Sequence, residues 1–476
     1  MCSCLTVFLA AAGMMAGAVL QAQARNWTDR DGRTVEAELV RVDEANVVIR
    51  RADGREFTLP RARLSEEDLA FVDAAKGSGA KASEGASDWV AALNSMLGVP
   101  LFADGMLWDD KPEKVAARLR LRPESVTPGA ESWRVYARPP LVVLDAPAYM
   151  LALRCEDGKV AGFSMMFNNR GDSPAFTERT SRAPVSKAEV QAFQAELKRD
   201  FDRLHAGLAA ALPKGESEPT PAQRRAYPGE LAVFNAGEHE LVLQALPAQM
   251  LTLRVQPVER VAPPRLSDDQ ARQRMKSRVT RRDNGDVVID RIPMVNQGPK
   301  GYCVPATFER MLRYSGIPAD MYELAALGGT NFGGGTNVPD LVDALGRTVR
   351  QAGRKLEEVK VQAPTAASLA RYIDEGRPLL WSLASTPEFN NLADDYSNAR
   401  PEGVAELKTW AAERKKPAAG LSRDRAAGHL CLIIGYNRTT GEIAFSDSWG
   451  PKFAERWLPA ASLEQASLGQ LWVLGL

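Results

Sequence analysis

The stretch Gly77–Ser87 reads GSGAKASEGAS, small and polar residues that cannot anchor a hydrophobic core. Such a segment behaves as a flexible linker, and it separates a short N-terminal piece from a long remainder. At 476 residues the whole is too long for one core, and two or three domains are expected. The expected fold class is multidomain α+β. It comprises a small β unit at 25–75, the linker at 76–87, a mixed α+β region at 88–261, a charged connector opened by Pro263-Pro264 at 262–285, and an α+β domain at 286–476.

Charge excludes some functions early. Lys plus Arg and Asp plus Glu each number 60, so no net charge draws the chain to nucleic acid or acidic lipid. No basic patch with interleaved aromatics is present, and nucleic acid is not an expected partner. The first 24 residues read as an export signal, with an apolar run from Leu5 to Leu20 and a small-x-small site at Ala22-Gln23-Ala24. The run lacks a preceding Lys or Arg, a departure from the usual pattern. Neither Cys2 nor Cys4 follows it, so lipid attachment is not indicated. Beyond the signal no stretch is apolar for long enough to span a membrane. The expected location is therefore exported, periplasmic or extracellular. Removal of the signal leaves Cys155, Cys303 and Cys431. An odd number without regular spacing is not a disulfide framework, even in an oxidising compartment.

In the N-terminal piece, Val35–Val40 and Asn46–Arg50 read as short strands, Asp31-Gly32 and Asp53-Gly54 as hairpin turns, and Ser65 as the cap of a closing helical turn. In the middle region, 89–97 and 111–119 read as helices, with strands at 140–144, 149–154 and 159–167. A long amphipathic helix, Ser186–Leu212, starts on a Ser cap, and strand character returns from Glu230 to Val258. This region carries no recognisable chemistry. His205 and His239 have no ligand-type cluster beside them and read as solvated or packed.

The C-terminal region is different. Gln297 precedes Cys303 by six residues, and His429, the one histidine of this region, stands in Gly428-His429-Leu430-Cys431. Ser446-Asp447-Ser448-Trp449-Gly450 follows. A thiol attacks a carbonyl only as thiolate, and a free cysteine with a pKa of about 8.5 supplies little of it at neutral pH. Pro305 and the spacing of Phe308, Met311 and Leu312 put Cys303 at a helix N-terminus, where the helix dipole favours negative sulfur. An imidazolium at His429 would favour it further. Strands His429–Tyr436 and Ile443–Ser446, joined at Thr440-Gly441, form a hairpin that carries Asp447 back toward His429 as the orienting carboxylate. Gln297 is placed to supply an oxyanion-hole donor beside the Cys303 backbone N–H. Trp449 is expected as a lid over the His–Asp pair, with plain core packing as the alternative. For the others the structural alternatives are an inert thiol, a satisfied core histidine, a turn-capping aspartate and a loop glutamine. Cys431, two residues from His429 on one strand, shares its face and reads as a small core residue.

The segment Gly328–Asn337 is glycine-rich but lacks the Gly-Lys-Ser/Thr of a phosphate loop. It reads as a cleft wall, with Gly334 and Gly335 as cleft residues, or as a plain loop. No metal and no organic cofactor are expected.

The run from Ile292 through Gln297, Gly298, Tyr302 and Cys303 to Ala306 resembles the opening of bacterial papain-fold cysteine peptidases of the double-glycine-leader type and their stand-alone relatives. So do Arg371–Leu383 and the Gly428-His429 strand. The resemblance covers roughly 286–476. It implies a papain-like domain with Cys303 as nucleophile, His429 as base and acid, Asp447 as orienter and Gln297 in the oxyanion hole. No transporter domain accompanies it, so leader cleavage during export is not carried over, and 386–427 reads as an insertion. Trp27, Asp29 and Gly32, with Asp53-Gly54-Arg55 and Leu64-Ser65, resemble the SH3-like barrels of the Sla-type homology domain, a binding module or a spacer. The expected function is an exported cysteine peptidase acting on a peptide or protein substrate, its N-terminal domains meeting a cell-envelope protein. The alternatives are a thiol amidase or acyl transferase on cell-wall peptides, and a catalytically silent scaffold.

Overall fold

A computed structural model describes residues 25–28, 30, 33–42, 46–51, 55–65, 68, 69 and 72, and then 89–475 except 104, 128, 171–184, 259–266, 331–334, 362–363 and 415–420. The expected export segment and the linker at 77–87 lie outside the described residues. The chain divides into two compact units, 1–88 and 89–476.

In the first unit, β1 (Arg25–Thr28), β2 (Thr34–Val42), β3 (Asn46–Arg50) and β4 (Glu56–Pro60) form an antiparallel meander in chain order. Among the described residues β1 and β4 do not pair, so the structure describes a four-stranded meander and does not show the expected SH3-like barrel as closed. Trp27, Ala37, Val47, Ile49, Leu64 and Val72 make its core. The buried Trp27 indole donates to Ala37 O at 2.9 Å. Ser65 accepts from the Asp68 N–H as the expected cap, and the Asp68 carboxylate accepts from the Thr28 N–H.

Among the described residues the second unit contains two antiparallel sheets. The first runs in the order β5 (Arg122–Thr127), β6 (Ala130–Val143), β7 (Ala146–Glu156), β8 (Lys159–Asn169), β12 (Met250–Pro257), β11 (His239–Leu246), β10 (Glu230–Ala236), β9 (Glu216–Ser217). Its central strands β8, β11 and β12 are buried on both faces, and the two-residue alternation sorts their side chains. Leu151 and Leu153, Met165 and Phe167, and Leu251 and Leu253 point to a core shared with helix α1 (Lys187–Ala211). That helix contributes Phe193, Leu197, Phe201, Leu204 and Leu208 at helical spacing and opens with the Ser186–Glu189 capping box. Each such side chain contributes roughly 1.5–3 kcal/mol on burial. Met150, Met166 and Met250 point the other way, into a second core with Val295, Tyr302, Ala306, Met321 and Tyr322 of the C-terminal region. The two regions thus share this second core.

The second sheet follows the order β13 (Val279–Arg281), β14 (Asp286–Ile289), β17 (Gly428–Asn437), β16 (Leu379–Ala384), β20 (Ser467–Gly475), β15 (Lys355–Glu358), with β18 (Glu442–Ser446) pairing β17 and β19 (Arg456–Pro459). The expected connector at 262–285 carries a helix, Asp268–Lys276, and β13, so part of it is built into this sheet. Among the described residues, the expected insertion at 386–427 holds α4 (Pro387–Ala399), a helix at Val404–Glu413 and a 3-10 turn at Arg425–Ala427. Arg400, just after α4, binds the buried carboxylates of Asp286 and Glu442, which ties this segment to the sheet. Helix α2 (Cys303–Tyr314) lies against β17, and α3 (Met321–Leu327) packs beside it.

Candidate active site

Helix α2 begins at Cys303 itself, with Tyr302 at the cap position making no side-chain cap hydrogen bond. The helix is held in place by polar side chains buried on its inner face. Thr307 Oγ1 donates to Leu430 O at 2.9 Å, and Arg310 reaches Pro293 O at 3.0 Å and Ser446 Oγ at 2.5 Å. Burial holds the Arg310 guanidinium down to about 10. These contacts fix the helix against the strand that presents His429.

His429 is the second residue of β17, opposite Leu383 of β16. The β17–β18 pairing reaches its end at Leu432 and Ser446. One residue further, Asp447 turns back, and its Oδ1 lies 2.7 Å from Nε2 of His429. That leaves Nδ1 as the ring nitrogen for the Cys303 thiol. Burial pushes the thiol up, but the hydrogen bond and charge of His429, with the Leu430 and Val304 backbone, hold it below its ordinary value. Burial also disfavours the charged imidazole; Asp447 and Cys303 outweigh it and raise His429 to about 9. Asp447 is desolvated as well, yet His429 and Arg456 keep its carboxyl below the usual range. Each shift favours the charged form.

Trp449 covers this pair, its ring 4.7 Å from that of His429 and tilted by 30°. Phe453 backs it edge-on at 5.4 Å. Gln297 is buried and fixed at several points. Its N–H donates to Ser448 O at 2.8 Å, its Oε1 accepts from Ser448 Oγ at 3.1 Å, and its Nε2 donates to Lys300 O at 2.9 Å. An amide nitrogen carries two hydrogens, so the second remains for another acceptor. Ser448 thereby links the loop bearing Asp447 to the loop bearing Gln297.

The expected Cys303, His429, Asp447, Gln297 and Trp449 are thus brought together. Gly334 lies outside the described residues. Gly335 is exposed, with nothing within 4 Å of where a Cβ would stand, and it is not among the side chains just described. Cys155, Cys303 and Cys431 are all buried and free. Burial holds the Cys431 thiol well above its ordinary value. His205 pairs with Glu216 at the surface. His239 is buried among Trp89, Phe102 and Trp108, accepting from the Leu107 N–H. Among the described residues no group of three or more His, Cys, Asp or Glu side chains gathers as a metal site would.

Two features escaped the sequence. Arg456 of β19 is buried against Asp447 and also donates to Asp394 of α4 at 3.1 Å. Its one signal is an arginine set in the apolar run Trp457-Leu458, where a buried countercharge is required. The other is the contact of β5 and β6 with the Gln297 loop, made by residues about 160 positions away, which has no local signal.

Residues 289–467 match the model of the Peptidase_C39 like family. Residues 20–79 match the SLA1 homology domain 1. At family level the first match supports a cysteine peptidase in the C-terminal part. No curated protein matches the chain. Among the described residues no helix is long and apolar enough to cross a membrane.

Proposed function

We propose that the chain is an exported cysteine peptidase with a papain-like catalytic domain, acting on a peptide or protein substrate through Cys303, His429, Asp447 and Gln297. The observation that carries this is the buried contact of a depressed thiol at a helix N-terminus with a raised imidazole, itself held by a carboxylate. In the first step the Cys303 thiolate adds to the scissile carbonyl carbon, and the π-electron pair moves to the carbonyl oxygen. Gln297 Nε2 and the Cys303 backbone N–H stabilise that oxyanion. As it collapses, the His429 imidazolium gives its proton to the departing amine and the C–N bond breaks, leaving a thioester at Cys303. Neutral His429 then takes a proton from water as it attacks the thioester; the acid leaves, and the thiolate–imidazolium pair is restored. Asp447 orients the ring and stabilises its charge throughout. The N-terminal sheet, read as an SH3-like module, serves to bind a cell-envelope partner.

Purified protein incubated with a complex peptide mixture, followed by mass spectrometry of new termini, tests this reading. New termini that vanish in Cys303→Ala are expected. Identical patterns from both proteins contradict it.

A further inference from the structure

The loop that carries Gln297 and leads to Cys303 is gripped by strands that the sequence assigns to another region. Tyr136 of β6 donates its hydroxyl to Asn296 O at 2.5 Å, and Glu124 of β5 accepts from the Asn296 N–H at 2.7 Å. Both contacts fall on the residue immediately before Gln297. Glu124 is buried and held by Arg134 at 2.6 Å. On the far side of Gln297, Gly298 adopts φ +71°, and a Cβ there would lie 2.7 Å from the Tyr136 ring. The buried Lys300, whose carbonyl receives the Gln297 amide, places its Nζ 4.7 Å from the Tyr136 ring centre and 4.5 Å from that of Tyr322, to whose hydroxyl it donates at 2.8 Å. A desolvated ammonium over aromatic faces is a strong attachment.

We propose that the β5–β6 hairpin belongs to the reaction site, with Tyr136 and Glu124 as positioning residues that set where Gln297 holds the oxyanion. This rests on the peptidase reading above. Both act through the backbone beside Gln297: each holds Asn296, and the Tyr136 ring also packs against Gly298. The hairpin therefore governs steps that pass through a tetrahedral oxyanion and leaves the nucleophilicity of Cys303 alone.

Two reagents separate those effects on the full chain. Iodoacetamide alkylates the thiolate by displacement at carbon, with no carbonyl oxyanion. p-Nitrophenyl acetate acylates it through a tetrahedral intermediate, releasing p-nitrophenolate. For Tyr136→Phe and Gly298→Ala, alkylation is expected to keep the wild-type rate and pH profile, which also reports an intact fold. Acylation is expected to slow by about 10- to 100-fold, the scale of a small misplacement or a lost oxyanion donor. The double variant Tyr136→Phe/Gln297→Ala should acylate no more slowly than Gln297→Ala, because both changes act through one donor. Unchanged acylation in Tyr136→Phe, or a loss that multiplies with that of Gln297→Ala, overturns the proposal while leaving the peptidase reading standing. A wild-type protein that p-nitrophenyl acetate does not acylate at Cys303 overturns both.

Discussion

Arg456 holds Oδ2 of Asp447 on the side opposite the Oδ1 that meets His429. The carboxylate is buried and shared between two cations. One cation is the Arg456 guanidinium, which donates twice to Oδ2. The other exchanges a proton during the proposed reaction. Phe445, Trp449 and Phe453 surround the guanidinium.

Replacing Arg456 by Met leaves a buried carboxylate with His429 as its remaining cation. Breaking such a pair costs about 3–5 kcal/mol. The expected result is a marked fall in the urea midpoint at pH 7. The His429 pKa should also move up from about 9, because a positive neighbour is gone. Titration of the imidazole by NMR in wild type and Arg456→Met reads this shift directly.

Asp447→Asn removes the charge that raises His429. The imidazolium is then less stable, so its pKa falls from about 9 toward its ordinary value of 6.5. Peptide turnover in wild type should rise as Cys303 ionises, below its ordinary value, and fall as His429 loses its proton near pH 9. In the asparagine variant the descending limb should move to lower pH, with kcat reduced by about 10²–10⁴, the range of general acid–base catalysis. A kcat–pH profile of both proteins tests this.

Trp449→Ala uncovers the pair. Water then screens the His429–Asp447 attraction while relieving the desolvation that holds the imidazole down, so the two effects oppose and the descending limb is expected to move less than in Asp447→Asn. Because Trp449 is only partly buried, the stability loss should fall at or below about 3 kcal/mol, the lower end for a core aromatic truncated to alanine. Urea unfolding and the same pH profile provide both readings.

Glu309 on α2 offers a separate test of packing between the two sheets. Burial raises its carboxyl to about 7 despite Arg313 at 3.1 Å, with Asp320 adding to the rise. A carboxyl raised in the folded state contributes stability that is full below the unfolded value of 4.5 and is lost as pH climbs through about 7. The wild-type unfolding midpoint, measured relative to Glu309→Gln, should therefore decline across pH 4.5–7 and level off above it.

The local parts of this molecule were legible and the long-range parts were not. Ser186 and the spacing of Phe193, Leu197 and Leu204 mark α1, because capping and helical periodicity are encoded within a few residues. Cys303 at a helix start and the β17–β18 hairpin were equally local, so the geometry of Cys303, His429 and Asp447 could be anticipated. Closure of the N-terminal sheet depends on strand ends meeting, which local strand and turn signals do not encode. The methionine face of β7, β8 and β12 looks like ordinary strand alternation until a partner is placed on it. The connector at 262–285 read as a linker because its charge hides the short β13, whose pairing with β14 is set by tertiary context. Arg456 and Tyr136 act on residues that sequence distance cannot bring together.

The most direct measurement is the rate of iodoacetamide labelling at Cys303 across pH 4–10 in wild type and His429→Ala. The account predicts a thiolate that titrates below the range of an ordinary free thiol in wild type and moves to higher pH when the imidazole is removed. Superimposable profiles with the midpoint of an ordinary thiol would contradict the ion pair, and with it the proposed peptidase.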